Sequence, residues 1–285
     1  MGYSPYYRLM VHQFTYLAGK IFDFYLNSSI HVALAVTSFT ALTMIHLSLN
    51  IVIDLLFFVF FSTIIGYNIT KHAYGLEPSG FGMNSRHSIL ILTLLSLIPF
   101  LFFLFTQPVP VIILSGLMGL ITFFYSWPVS RRVSGLRSIT GLKIFVIAFV
   151  WSAVTIVLPV LSSEPLINMN ILIEFVQRFI FVIVLTLPFD IRDIRFDTWH
   201  LGTIPQIIGI KRTRVLGVIL LCFVVLAEFF KIPGTANQMF ILMAISIVTG
   251  RIVMQSVVKQ TQYFASFWVE SIPIIWCGLE IIFYF

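Results

Sequence analysis

Nine long apolar runs, at about 28–46, 49–68, 88–106, 109–127, 139–161, 169–189, 214–230, 235–256 and 263–284, constrain this chain more than any other feature. Each approaches the roughly 20 residues that an α-helix needs to cross the hydrocarbon core of a bilayer. Only 10% of the residues are charged and 59% are hydrophobic, whereas a soluble domain carries about a quarter charged. A soluble globule is excluded, and the expected fold class is an all-α, polytopic membrane protein with nine transmembrane helices. Residues 4–26 mix Tyr6, Tyr7, Phe14, Tyr16, Phe22 and Phe24 with Arg8, His12 and Lys20, and read as an amphipathic helix in the membrane interface. The expected division is an interfacial segment at 1–26 and a single helical domain at 27–285. The first residues lack the compact apolar run and small-residue end of a cleavable signal peptide.

Pro108, Pro128, Pro165 and Pro233 mark boundaries, and the connections at 47–48, 107–108 and 231–234 are short, so neighbouring helices should run antiparallel. With nine spans, the long connections at 69–87, 128–138, 190–213 and 257–262 fall on the same side as the N-terminus. Of the 17 Lys and Arg residues, all but Arg178 and Lys231 lie in or beside these connections and the N-terminal segment. Such an excess belongs to the cytoplasmic side, which puts the C-terminus outside. The net charge of +6 is thus a membrane-topology feature and not a nucleic-acid footprint. Cys222 and Cys277 both lie in apolar runs and suggest neither a disulfide framework nor a zinc site.

Against this background the acids of Leu187–Lys211 stand out, because the chain holds only 11 Asp and Glu and three of them, Asp190, Asp193 and Asp197, occur here. Spacings of three and four residues put the three carboxylates on one face of a helix, near its C-terminal end, where mutual repulsion and the macrodipole both disfavour anions. A hard divalent cation, ligated by oxygen, would resolve the conflict. The alternative is a solvated loop in which Arg192 and Arg195 neutralise the acids.

Gly202, Thr203, Pro205 and Gly209 extend the acids into D-x-x-D-x-x-x-D-x-x-x-x-G-T-x-P-x-x-x-G, which resembles the second aspartate-rich motif of the UbiA superfamily of intramembrane prenyltransferases. The resemblance implies a UbiA-like bundle in which Asp190, Asp193 and Asp197 bind Mg²⁺, and Mg²⁺ holds an isoprenoid diphosphate. The first motif of that family, N-x-x-x-D-x-x-x-D, aligns with the stretch that begins at Asn68. Here His72 and Leu76 stand where its two acids belong, and Glu77 follows one residue late. Histidine suits Mg²⁺ poorly and leucine offers it nothing. One metal held by the second motif is therefore the expectation, with Asn68 and Glu77 as further candidate ligands and Lys71 and His72 as cations facing the diphosphate. Tyr125-Ser126-Trp127-Pro128, followed by Arg131 and Arg132, is similar to the basic loop after the fourth span of the family, and implies diphosphate contacts from Tyr125, Arg131, Arg132 and Lys143; Lys143, inside the fifth run, either snorkels to the interface or points into the cavity.

Within the spans, Glu174 and Arg178 are four apart and read as an intrahelical pair; Asp54, Glu228 and Glu280 read as acids at outer helix ends close to water; Glu270 is a candidate cavity residue or a partner of a neighbouring helix. The function that follows is prenyl transfer from an allylic diphosphate to an aromatic, quinoid or lipid acceptor. The alternative is a repurposed relative that binds a polyprenyl lipid or a partner without transfer.

Overall fold

The computed structural model describes residues 5–73, 83–126, 141–163, 168–195, 202–231 and 236–284, with backbone alone at 5–12, 72–73, 83–85, 126 and 284. Helices dominate: α1 Pro5–Asn27, α2 Ile30–His46, α3 Ile53–Ala73, α4 Met83–Phe105, α5 Val109–Ser126, α6 Leu142–Ser152, α7 Leu158–Ser163, α8 Met169–Asp193, α9 Ile204–Ile208, α10 Ile210–Glu228, α11 Ala236–Gln255 and α12 Ile272–Tyr284. A π-helical turn at Ala153–Val157 joins α6 to α7, and a second at Phe264–Val269 precedes α12. Each of the nine apolar runs is thus helical among the described residues.

Six helical segments are long and apolar enough to cross a membrane: Ile53–Lys71, Arg86–Phe105, Leu142–Ser163, Met169–Asp193, Ala236–Gln255 and Phe264–Phe283. A bent pair, Gln13–Asn27 with Ile30–His46, makes a seventh. The apolar part of α5 is shorter, and α10 begins with Lys211, Arg212 and Arg214. By length and composition the described residues therefore give six or seven spans, fewer than nine. The bend of 53° falls at Ser28 and Ser29, and Ser29 adopts a left-handed φ of 64° that ends α1 and starts α2. The N-terminal helix consequently reaches Asn27 and leads by this kink into α2.

Successive long helices pack side by side: α2 on α3, α3 on α4 and α5, α5 on α6 and α7, α6 on α8, α8 on α10, α10 on α11, and α11 on α12. Contact of α12 with α2 closes the ring. A buried cluster that includes Phe39, Phe181, Val184, Leu187, Leu221, Ile245 and Trp276 fills the α8, α10, α11 and α12 side, while Val36, Leu55, Phe58, Val111 and Leu158 fill the α3 and α5 side. A Cβ on Gly217 would lie 2.9 Å from Val253 Cγ1 and 3.0 Å from Leu187 Cδ1, so glycine is what lets α10 close on α8 and α11.

Candidate functional site

Asp190 and Asp193 sit in the last turn of α8, and the first turn of α6 brings Lys143 against Asp190. Lys143 Nζ lies 2.9 Å from Asp190 Oδ1, in a pair whose aspartate side chain is 2% exposed. Lys143 therefore points inward and does not snorkel. Asp193 is closed by its neighbour: Arg192 donates from Nε to Oδ1 at 2.7 Å and from Nη2 to Oδ2 at 3.0 Å, while its guanidinium lies 5.3 Å from the Phe189 ring centroid. The glycines of the motif have a backbone reason, since Gly202 and Gly209 take φ of 48° and 82°, a region costly for other residues. Between them Thr203 starts α9, its N–H donating to Gln206 Oε1 at 2.9 Å. Gly141, with φ of 74°, starts α6 beside this turn: a Cβ there would stand 3.7 Å from the Gly202 carbonyl oxygen. Left-handed glycines thus shape both the turn after α8 and the start of the helix that carries Lys143.

On α3 the arrangement is different. Asn68 is fully buried, donates to Ser28 O and Thr93 Oγ1 at 3.1 and 2.9 Å, and accepts from Ser29 Oγ at 2.8 Å. Its amide knits the α1–α2 kink to α3 and α4. Lys71, one turn on, donates to Asn27 O at 3.2 Å and Ser29 Oγ at 2.8 Å. Tyr67 OH accepts from Trp151 Nε1 at 2.8 Å, linking α3 to α6. Opposite, at the break before α12, Glu270 lies in the electrostatic field of Lys71 and Arg192. Nearby, His31 is held by Tyr25 OH at 2.7 Å, Ser271 Oγ at 3.2 Å and Phe267 O at 3.1 Å. Tyr263 OH donates to Asp23 Oδ1 at 2.7 Å, and that hydrogen bond to a carboxylate pushes the phenol's pKa up.

The structure thus brings Asp190, Asp193, Lys143, Lys71, Asn68 and Glu270 to one end of the bundle. Tyr125 is buried at the end of α5. Asp197, Leu76, Glu77, Arg131 and Arg132 lie outside the described residues, as does the side chain of His72. Among the described residues no three Asp, Glu, His or Cys side chains group to hold a metal. Asp190 and Asp193 nonetheless offer the hard oxygen donors that Mg²⁺ takes, three residues apart on one helix end.

At the opposite end lies an ionic cluster that reading the chain in order did not reveal. Glu174 contacts His46 at 2.8 Å and Lys231 at 2.6 Å, while Arg178, its expected intrahelical partner, acts on it electrostatically. Arg178 donates to Phe39 O at 2.8 Å and lies 4.0 Å from the Phe39 ring centroid. Glu228 and Glu280, expected near water, are buried: Glu228 meets Lys231 at 2.8 Å and accepts from Gln177 at 2.9 Å, and Glu280 meets His46 at 3.2 Å. Burial disfavours the Lys231 ammonium, but Glu174 and Glu228 outweigh it and hold its pKa above the ordinary value. Asp54, by contrast, is exposed as expected.

No protein-family model matches the chain, and no curated protein matches it significantly. Solved structures do. A UbiA homologue from Aeropyrum pernix K1, in its apo state, superposes with a TM-score of 0.66 at 14% identity, covering 90% of this chain and 99% of the other. A UbiA homologue from Archaeoglobus fulgidus, bound to GPP and Mg²⁺, gives 0.61 at 11% identity, with 91% and 98% covered. A structure of digeranylgeranylglyceryl phosphate synthase gives 0.53 at 15% identity, with 93% and 96% covered. The chain has the fold of these UbiA homologues along nearly its whole length.

Proposed function

We propose, from the UbiA fold and the aspartates at the end of α8, that this chain is an intramembrane prenyltransferase of the UbiA superfamily. It would take the isoprenoid chain of an allylic diphosphate and pass it to an aromatic, quinoid or lipid acceptor. The observation that carries this reading is Asp190: a carboxylate in a bilayer-embedded helix, 1% exposed, paired with Lys143 and one turn from Asp193. Ionisable groups in such a place are retained for a task. In this reading all nine helices span the membrane, and the aspartate end faces the cytoplasm.

Asp190, Asp193 and Asp197 would hold one Mg²⁺. When bound, it supplies positive charge to the diphosphate oxygens from which the allylic carbon departs. Lys143 and Arg192, which neutralise the two aspartates, are the cations nearest to that charge and would turn to the phosphate oxygens as the aspartates take the metal. Lys71, anchored at the α1–α2 kink, and Arg131 and Arg132 would complete the anion site. The apolar residues of the bundle would keep water from the allylic cation. Glu77 is a second candidate ligand from the loop after α3.

Purified protein in lipid nanodiscs should release inorganic diphosphate from an allylic diphosphate with Mg²⁺, and lose that release in EDTA. A second reading is favoured by the cations already seated on Asp190 and Asp193 and by His72 and Leu76 in the first motif: a protein that binds a polyprenyl lipid and transfers nothing. Binding of a labelled polyprenyl diphosphate without any release would select it.

A further inference from the structure

Just before α2, one residue holds a backbone conformation that its type disfavours. Ser29 is fully buried and left-handed, with φ of 64° and ψ of 14°. Glycine takes such angles without steric cost, and serine rarely takes them. What serine adds is a hydroxyl, and both of its capacities are used: it donates to Asn68 Oδ1 at 2.8 Å and accepts from Lys71 Nζ at 2.8 Å. A disfavoured conformation held in place by its surroundings points to a task at that spot.

The hydrogens of this knot run in one direction. Both amide hydrogens of Asn68 are committed, one to Ser28 O at 3.1 Å and one to Thr93 Oγ1 at 2.9 Å, and Thr93 in turn donates to Ile89 O at 2.8 Å. Asn68 therefore meets Ser29 with its carbonyl oxygen alone, which turns the Ser29 hydrogen toward Asn68 and a lone pair toward Lys71. The Lys71 ammonium carries three hydrogens. One goes to Ser29 Oγ and one to Asn27 O at 3.2 Å, and the third has no acceptor among the described residues. Lys71 keeps part of its surface open, so this hydrogen is the loose end of a network otherwise complete. Both oxygens that hold the ammonium are uncharged, and neither answers its positive charge.

We infer that Ser29 is a positioning residue for Lys71: its hydroxyl, steered by Asn68 and Thr93, aims the third ammonium hydrogen at an oxygen of the isoprenoid diphosphate. This rests on the prenyltransferase reading above, in which Lys71 belongs to the anion site. It places Asn68 behind Lys71 as a support. A lysine already held at two oxygens has less freedom to lose on binding than one whose chain must first be ordered. The α1–α2 kink, which supplies both of those oxygens, thereby serves the diphosphate without touching it.

The test is a cycle of Ser29→Gly and Lys71→Met, read as the affinity of each folded protein in nanodiscs for an unreactive C10 allylic thiolodiphosphate with Mg²⁺. Ser29→Gly suits the left-handed backbone and removes the hydroxyl, and should weaken binding about 10-fold, the range of one hydrogen bond to a charged group. In Lys71→Met protein the same substitution should change binding by less than about twofold, because the residue it acts through is gone. A Gly variant that binds as tightly as wild type overturns the inference. So does an equal loss in both backgrounds, which would make Ser29 a purely structural residue of the kink. Should Ser29→Gly not fold, Thr93→Val, which removes the acceptor that pins the Asn68 amide, enters the same cycle under the same two criteria. Wild-type protein that binds no diphosphate sinks the prenyltransferase reading and this inference together, whereas bound diphosphate with additive losses sinks the role of Ser29 alone.

Discussion

Protein carrying Asp190→Asn should release diphosphate about 10³-fold more slowly than wild type, a loss expected when a preorganised charge at the departing group is removed. Asp193→Asn should lose activity to a similar degree. The two variants should differ in stability. Asp190 is 1% exposed and carries Lys143 at 2.9 Å, so its neutralisation removes the carboxylate half of a buried ion pair. Breaking a buried pair from one side costs about 3–5 kcal/mol. The Asp193 side chain is 27% exposed and paired with its own neighbour, an arrangement worth about 0–1 kcal/mol. Thermal unfolding and diphosphate release, measured on the same preparations, separate the roles. Equal losses of activity from unequal losses of stability mark both aspartates as chemical. Undiminished release by the double variant would rule out the mechanism.

A comparable loss of stability is expected at the opposite end, from Glu174→Gln. Glu174 joins α2 through His46 and the end of α10 through Lys231, while Glu280 of α12 reaches the same His46. With His46 protonated, three cations, His46, Arg178 and Lys231, face three carboxylates, Glu174, Glu228 and Glu280. Removing one carboxylate leaves an uncompensated buried charge, which costs about 3–5 kcal/mol. Asp54→Asn, at an exposed position, should stay within about 0.5 kcal/mol of wild type. Adding Lys231→Met to Glu174→Gln should return part of the loss, because the two side chains are in contact and their effects cannot add independently. A Glu174→Gln protein as stable as wild type would mean that the cluster does not hold these helices together.

The helices and the cluster differ in how far the chain discloses them. Apolar runs of about 20 residues announce helices because hydrocarbon leaves the backbone no other partner than itself. Every run was legible for that reason. The kink at Ser29 was not, because its left-handed φ is imposed by Asn68 and Lys71, some 40 residues away. The π-helical turn at Ala153–Val157 likewise has no signal in a stretch of Ala, Val, Thr and Ile. At the site, the spacing of Asp190 and Asp193 on one helix face could be read directly, and so could the two possible directions of Lys143. The partner of Lys143 could not. Glu174 and Arg178 show why: a spacing of four residues suggests a local pair, but His46 and Lys231 converge on the same carboxylate from other helices, and only tertiary packing brings them there. Asn68 fitted the first motif, and the structure gives its amide three protein partners.

The central claim is that Asp190 and Asp193 share one cation with an isoprenoid diphosphate. A structure determined with an unreactive allylic thiolodiphosphate and Mn²⁺, with the metal located by anomalous scattering, tests it most directly. The expected result is one ion between the two carboxylates, with Lys143 and Arg192 moved from the aspartates to phosphate oxygens. Asp190 still on Lys143 and Asp193 still on Arg192, with no ion between them in ligand-soaked protein, would contradict it.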